Sequence, residues 1–261
     1  MSRIVQTLGR RLPRGWGDVF AQLGLFVLAD LCYETVRGLA EGRATLAFSN
    51  AERIIEIERA TGTFFEPALQ GAILGHQWLV ETANWAYMNT HFVITTGFLV
   101  WLYLFRNEAF YFVRNMFMVA MGLALVGYTL VPTAPPRLVS GEGFVDTITA
   151  YAGVGHNSAL VELFVNPYAA VPSMHIAFAL MIGVTGTLLC RHLALRVLWA
   201  LYPVLVFFVI IVTANHFWLD AAAGAAVAGV AAVAAHKLLA RVRPGVWSWR
   251  PADSQAEPAA S

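Results

Sequence analysis

Charged side chains are scarce in this sequence. Only 13% of its 261 residues are Asp, Glu, Lys or Arg, while 58% are hydrophobic. A soluble domain carries about 25% charged residues, so the composition excludes an ordinary soluble domain and indicates a membrane protein. The formal net charge is +1, which gives no basic surface for a polyanion. We therefore expect no nucleic-acid partner.

Cysteine is nearly absent as well. The chain has two, Cys32 and Cys190, each in an apolar stretch and far from the other. Two such residues exclude a disulfide framework and a cysteine-based metal site, and they are interpreted as small buried hydrophobic side chains. A signal-peptidase site is also missing after the first apolar stretch, which Asp30 and Glu34 interrupt. This predicts a retained first helix rather than a cleaved signal.

Long runs without charged residues make up much of the sequence. Four gaps without any charged residue each reach the roughly 20 residues that a helix needs to cross the hydrocarbon core. A fifth apolar segment is rich in Ala and Gly, which permit close helix packing, and a weaker one lies near the N-terminus. We therefore predict an all-α integral membrane protein, a bundle of about six transmembrane helices with short interfacial helices between the first and second spans. The segments are 82–105, 115–136, 163–190, 197–219, 217–240 and 19–36.

The division of the chain follows from these segments. A basic tail, 1–18, precedes a six-helix membrane domain, 19–243, and a disordered tail, 244–261, follows it. Inside the domain, interfacial helices are predicted over 43–80, where an ordinary extramembrane hairpin fits equally well, and an active-site loop over 132–172. Most of the 17 Lys and Arg residues lie in segments that are cytoplasmic if the N-terminus is. The positive-inside rule then predicts both termini in the cytoplasm, the loop on the extracytoplasmic side, and the cell membrane as the location.

Four polar residues are expected to meet at one membrane face. His175 begins the fourth span in AVPSMHIAFAL, and His216 and Asp220 begin the sixth in TANHFWLD. Arg137 follows the third span in PTAPPRL. Alternating topology places all four at the same depth, and ionisable groups there are costly enough to be functional candidates.

Their chemistry suits phosphoryl transfer. His216 and Asp220 are four residues apart, so on one helix the carboxylate can fix the imidazole tautomer and leave the other nitrogen as a nucleophile. His175 is suited to protonating a leaving oxygen. Ser173 and the free N–H groups of a helix start favour a phosphate, and Arg137 can grip phosphate oxygens in a bidentate fork. Each piece alone has another interpretation: an interfacial histidine, a satisfied H-x-x-x-D pair, or a stiff PPR loop.

PSMH at 172–175 followed by H-x-x-x-D at 216–220 resembles the second and third motifs of the type 2 phosphatidic acid phosphatase superfamily. The resemblance extends from about Glu58 to Leu239. It implies a six-helix core with His216 as nucleophile, Asp220 as its orienting group and His175 as acid. It also implies that Ser173 binds phosphate.

Three departures from the common pattern are visible. Met174 stands where Gly is usual, Ile210 where Arg is usual, and the first motif is absent. PTAPPR, IERATGTFFEPALQ and MNTHFV are similar instead to the inositol phosphorylceramide synthase-like branch. That similarity implies Arg137 as the phosphate contact and His91, Glu58 and Glu66 as further substrate-binding candidates. An inter-helix hydrogen bond explains His91 equally well, and an interfacial charge is the simpler interpretation of each glutamate.

The expected activity is that of a membrane phosphatidic acid phosphatase-type lipid phosphatase or phosphotransferase. Its substrate is a lipid phosphate or phosphodiester, and it works through a phosphohistidine. The branch resemblance favours transfer of inositol phosphate or a similar headgroup with a polyol acceptor. A plain lipid phosphate or polyprenyl pyrophosphate phosphatase, a metal-dependent enzyme and a non-enzymatic lipid transporter stay open as alternatives. The leading hypothesis needs no cofactor and no metal, and its partners are the lipid and the bilayer.

Overall fold

The computed structural model describes residues 12–40, 43–151 and 168–249. These residues are 81% helical and form no strand. The predicted tail 1–18 lies largely outside them, as do 152–167 of the predicted loop and 250–261 of the C-terminal tail. The helices are α1 (Gly15–Ala40), α2 (Ala44–Ala60), α3 (Glu66–Leu74), α4 (Gln77–Trp85), α5 (His91–Phe105), α6 (Asn107–Leu130), α7 (Thr147–Tyr151), α8 (Met174–Leu189), α9 (Leu193–Val212), α10 (Trp218–Ala234), α11 (Ala240–Val242) and α12 (Pro244–Trp247).

Within the described residues, five helical segments are long and apolar enough to cross a membrane. A short π-helical segment joins α4 to α5 as one span, and another joins α10 to α11. The all-α membrane bundle predicted from the charge gaps is therefore confirmed. The sixth predicted span corresponds to α8, an apolar helix of only 16 residues. The five long segments are Gly15–Cys32, Gln77–Phe105, Asn107–Leu130, Leu193–Val212 and Trp218–Val242.

The first helix is longer than its predicted apolar segment, since it runs from Gly15 to Ala40. It packs against α6, where the Tyr111 hydroxyl donates to Asp18 at 2.6 Å. Its opposite side is exposed and apolar, as a lipid-facing surface requires. Cys32 lies on the exposed part, so the expectation that both cysteines are buried is wrong for this one.

The 16-residue helix α8 lies among the longer helices of the bundle. α8 packs against α9, α10 and α6. Small residues allow this: a Cβ on Gly183 would lie 2.8 Å from the Trp199 carbonyl oxygen, and one on Gly186 2.5 Å from the Trp199 ring. The sequence of α8 therefore fits a helix packed closely among its neighbours.

The segment between the first and second spans holds the loop after α6. Asn50 of α2 donates to the Pro132 carbonyl at 2.8 Å. Gln70 of α3 bonds both backbone groups of Val145. Asn84 of α4, in the second span itself, also donates to the Thr147 carbonyl, at 2.9 Å. The helices predicted over 43–80 therefore form a scaffold for the loop, and the second span already begins at Gln77.

Candidate active site

His216 is positioned by the turn between α9 and α10. Asn215 N–H and His216 N–H both donate to the Ile210 carbonyl, at 3.0 and 3.2 Å. Ala214 takes a positive φ of 51° in this helix-ending turn, a conformation that glycine more often supplies. His216 consequently lies before α10. The sequence had instead suggested a position on the first turn of that helix.

Asp220 joins this turn to the start of α10. Its Oδ2 atom accepts the Phe217 N–H at 2.9 Å and lies 3.3 Å from His216 Nδ1. The carboxyl is completely buried. One oxygen therefore caps the helix and orients the imidazole, which leaves Nε2 as the reactive nitrogen. Hydrogen bonds of catalytic groups are often long before substrate binds, so 3.3 Å suits this role.

His175 faces His216 from a different helix. It sits in the first turn of α8, and the two ring centroids are 5.5 Å apart at 63°. Tyr87 stacks on His175 with a centroid distance of 4.7 Å and an angle of 25°. The stacked tyrosine fixes the plane of the His175 ring beside the His216 ring.

The backbone of the PSMH segment is bonded to α10. Ser173 N–H donates to the Asp220 carbonyl at 3.0 Å. The Ser173 side chain is fully buried, and its Oγ atom has no hydrogen-bond partner among the described residues. Upstream, Thr133 forms a parallel bridge with Ala169, which joins the loop after α6 to this segment. Ser173 therefore retains a hydroxyl that can donate a hydrogen bond to an anion.

Arg137 is held by the same turn as His216. Its backbone N–H donates to the Ala214 carbonyl at 2.8 Å, and the Nε atom of its side chain donates to Asn215 Oδ1 at 2.9 Å. One terminal nitrogen lies 3.6 Å from Asp146 Oδ2. The guanidinium is thus fixed beside His216, with its side chain 6% exposed. In contrast, Arg114 lies near the opposite end of α6 and donates to Gln22 of α1 at 2.9 Å.

The electrostatics of the turn favour an uncharged His216. Burial lowers the pKa of His216 to about 4; the Ala170 carbonyl, which would favour a protonated ring, opposes this effect, and the positive charge of Arg137 adds to it. The imidazole is therefore neutral at pH 7, as a nucleophile must be. Its neutral form is favoured in the folded state, so this group contributes stability above pH 6.5 that is lost as the pH falls towards 4.

His91 lies next to His175 and lines a cavity with it. The two ring centroids are 4.7 Å apart, and His91 also stacks on Phe178. The cavity is small, about 20 Å³, and includes Thr90 in its wall. His91 Nδ1 and Thr90 Oγ1 are buried without a hydrogen-bond partner among the described residues. The inter-helix hydrogen bond considered for His91 is therefore not made by Nδ1.

Glu58 and Glu66 lie behind the helix start and not in the cavity wall. Both are completely buried, so neither is an interfacial charge. Glu66 accepts the Trp218 N–H at 2.9 Å, and Glu58 accepts the Leu219 N–H at 3.3 Å. The two carboxyls therefore contact the backbone of the catalytic helix.

The assembled groups are an imidazole paired with a carboxyl group, a second imidazole and an anchored guanidinium. These are the parts that phosphoryl transfer through a covalent nitrogen intermediate requires. In the described part of the chain, no three His, Cys, Asp or Glu side chains are grouped as metal ligands would be. Sequence reasoning missed Tyr87, Asn215 and Gly224. Asn215 adjoins His216 in TANH, and Gly224 follows Asp220 by one helical turn, so spacing offered a signal for both.

Gly224 is expected to be indispensable because α8 and α10 meet there. A Cβ at this position would lie 2.2 Å from the Ser173 carbonyl oxygen. Gly224→Ala should push the PSMH segment away from His216 and lower kcat/KM by about 100-fold, the typical cost of a misplacement near 1 Å. Gly229→Ala on the same helix is the matched control, because open space surrounds that position. Equal activity of the two variants would contradict the close packing of these helices.

Comparison with known proteins identifies a family for the chain. The sequence profile of the PAP2 superfamily matches residues 52–234, which is more than half of the chain. The match begins in α2, ends with α10, and includes both imidazoles and Asp220. No curated protein and no solved structure matches the chain significantly. The chain belongs to the PAP2 superfamily, and its activity is of the phosphatase or phosphotransferase type.

Proposed function

We propose that the chain transfers a phosphoryl or phosphodiester group from a membrane lipid through a phosphohistidine at His216. The observation that carries this proposal is the 5.5 Å separation of the His175 and His216 ring centroids. His216 Nε2 attacks phosphorus, and the P–O bond to the leaving alcohol breaks. His175 gives its proton to the departing oxygen, while Asp220 holds Nδ1.

The second half of the cycle reverses these roles. His175 takes a proton from the incoming hydroxyl, whose oxygen attacks phosphorus as the P–N bond breaks and neutral His216 is regenerated. Water as the incoming hydroxyl gives hydrolysis, and an alcohol gives transfer. Ser173 and Arg137 bind the phosphoryl oxygens in both halves, since charge-assisted hydrogen bonds are strongest to an anion.

The cavity beside His175 supports a lipid alcohol or polyol as the hydroxyl partner. Leu205 and Val206 line it, and so do Thr90 and His91, whose Oγ1 and Nδ1 atoms have no hydrogen-bond partner among the described residues. A hydroxyl group held there lies next to the proton donor. Thr90 and His91 can bond such a hydroxyl, which is the basis for proposing transfer with inositol or a similar polyol. Hydrolysis of a lipid phosphate or polyprenyl pyrophosphate is the simpler alternative.

The orientation is proposed on the distribution of basic residues. The arrangement with both termini in the cytoplasm satisfies the positive-inside rule. His175 lies at the beginning of α8, and His216 precedes α10. Both helices start from the side of the bundle on which α6 ends. The site then opens to the extracytoplasmic side of the cell membrane, where a lipid headgroup meets it without crossing the hydrocarbon core.

The test uses purified protein with a lipid whose phosphate is labelled. Labelled product is measured with water alone and with added myo-inositol or glycerol. Appearance of labelled phosphoalcohol, with a matching fall in free phosphate, supports transfer. Release of free phosphate at equal rates in every mixture supports a phosphatase. No product from phosphatidic acid, polyprenyl pyrophosphate or phosphatidylinositol would refute the proposal.

A further inference from the structure

Three carboxylates converge on the first turn of α10. Asp220 accepts the N–H of Phe217, the residue that caps the helix. Glu66 and Glu58 accept the next two backbone N–H groups, those of Trp218 and Leu219. A helix start offers only these few unpaired donors. The position of the catalytic helix is therefore set by side chains from α2 and α3.

Glu58 and Glu66 also contact each other. Both are 0% exposed, and the charge of Glu66 acts on the Glu58 carboxyl. Each uses Oε1 for the helix backbone, while Oε2 of each is buried without a hydrogen-bond partner among the described residues. Two neighbouring buried carboxyl groups cannot both ionise at low cost, so this arrangement favours one proton on the pair.

The charges around the pair require the same conclusion. A helix start supplies the equivalent of about half a positive charge, too little to balance three buried carboxylates. The charged groups that act on Glu58 are Glu66 from α3 and Asp220 from α10, both acidic. Arg59, its neighbour in sequence, is paired with Glu142 instead.

We propose that Glu58 and Glu66 are positioning residues that share one proton. The protonated pair fixes the first turn of α10, and this turn fixes Asp220 and therefore the His216 ring. Loss of the shared proton places two like charges in contact behind the catalytic helix. The helix start then moves, and the enzyme loses turnover before it loses substrate binding.

The direction of the pH effect follows from Glu58. Burial, and next the charge of Glu66, raise the pKa of Glu58 to about 9, against the usual 4.5. The folded protein therefore holds a proton that the unfolded chain releases, and stability falls as the pH rises from 4.5 to about 9. Glu58→Gln removes this titration but keeps an oxygen for Leu219 N–H and gains an N–H for Glu66.

The experiment compares wild type, Glu58→Gln, Glu58→Ala and the control Glu56→Gln, which lies exposed on the same helix. Thermal unfolding and kcat on a lipid phosphate in mixed micelles are measured from pH 5 to 10. Wild type and Glu56→Gln should lose stability and kcat towards pH 9, and Glu58→Gln should lose less of both. Glu58→Ala should lower kcat by about tenfold to 100-fold at pH 7, with a smaller change in KM.

Identical alkaline profiles for wild type and Glu58→Gln would overturn the proposal. So would unchanged kcat in Glu58→Ala. If Glu58→Ala fails to fold, the comparison with Glu58→Gln still decides. The activity measurements rest on the proposed function, whereas the unfolding measurements need no substrate, so absence of lipid turnover would refute that function and leave the carboxyl pair testable.

Discussion

Substitution of His216 by Gln is expected to abolish turnover of lipid phosphate. Glutamine fills similar space and can still hydrogen-bond Asp220, but it has no nitrogen lone pair for attack on phosphorus. Loss of a covalent nucleophile in an assembled site lowers kcat by roughly 10⁴-fold or more. The rate of labelled product formation per folded protein, checked by thermal unfolding, measures the effect.

His236→Gln provides the matched control for this substitution. His236 is exposed near the far end of the transmembrane segment that His216 precedes. The same chemical change there should leave turnover intact. Substantial residual activity in His216→Gln, with the control unaffected, would show that another group attacks phosphorus. A parallel loss in both variants would point to damage to the helix instead.

His175→Asn is expected to separate substrates by their leaving groups. A lipid alkoxide leaves poorly without a proton, so its turnover should fall by about 10²–10⁴-fold, the usual contribution of general acid catalysis. p-Nitrophenyl phosphate expels a stable phenolate and needs no acid in the first step. Its second step still needs His175 to deprotonate water, so a burst of nitrophenol should precede a slow steady rate.

Rapid-mixing kinetics distinguish these phases. The amplitude of the burst should approach one equivalent per folded site in His175→Asn and be absent in His216→Gln. Equal losses of rate on alkyl and aryl substrates, without a burst, would remove His175 from proton transfer. It would then be a structural partner of Tyr87 and His91.

The membrane architecture was predictable because hydrocarbon imposes a simple constraint on sequence. A span must exclude charge over its whole length, so gaps between charged residues located the long helices. The lengths of α1 and α8 were less predictable. The polar Asp18 is accommodated in α1 by Tyr111 of a neighbouring helix, and the beginning of α8 depends on contacts of Ser173 with α10.

The pairing of His216 with Asp220 was also predictable, although its physical basis was not the one inferred. Spacing by four suggested one face of a helix, whereas His216 precedes the helix and Asp220 reaches back as part of a cap. Both arrangements bring positions i and i+4 together. The sequence therefore indicated the right partners, and only the turn after α9 explains how they meet.

Contacts between distant segments account for what the sequence did not reveal. Arg137 bonds Asn215 across 78 residues, and Glu58 bonds Leu219 across 161. Periodicity and local spacing carry no information about such pairs. The glutamates could consequently be named as candidates only through a resemblance, and their contact with the catalytic helix became visible only in three dimensions.

The most direct test of the phosphohistidine at His216 is to trap it. Protein is mixed with ³²P-labelled lipid phosphate, quenched within milliseconds in alkali or in acid, and digested for peptide mapping. Label should survive alkali, disappear in acid, and locate to the peptide that contains His216. Acid-stable label on Ser173, or rapid turnover with no protein-bound label in wild type and in the His175→Asn variant, would contradict this mechanism.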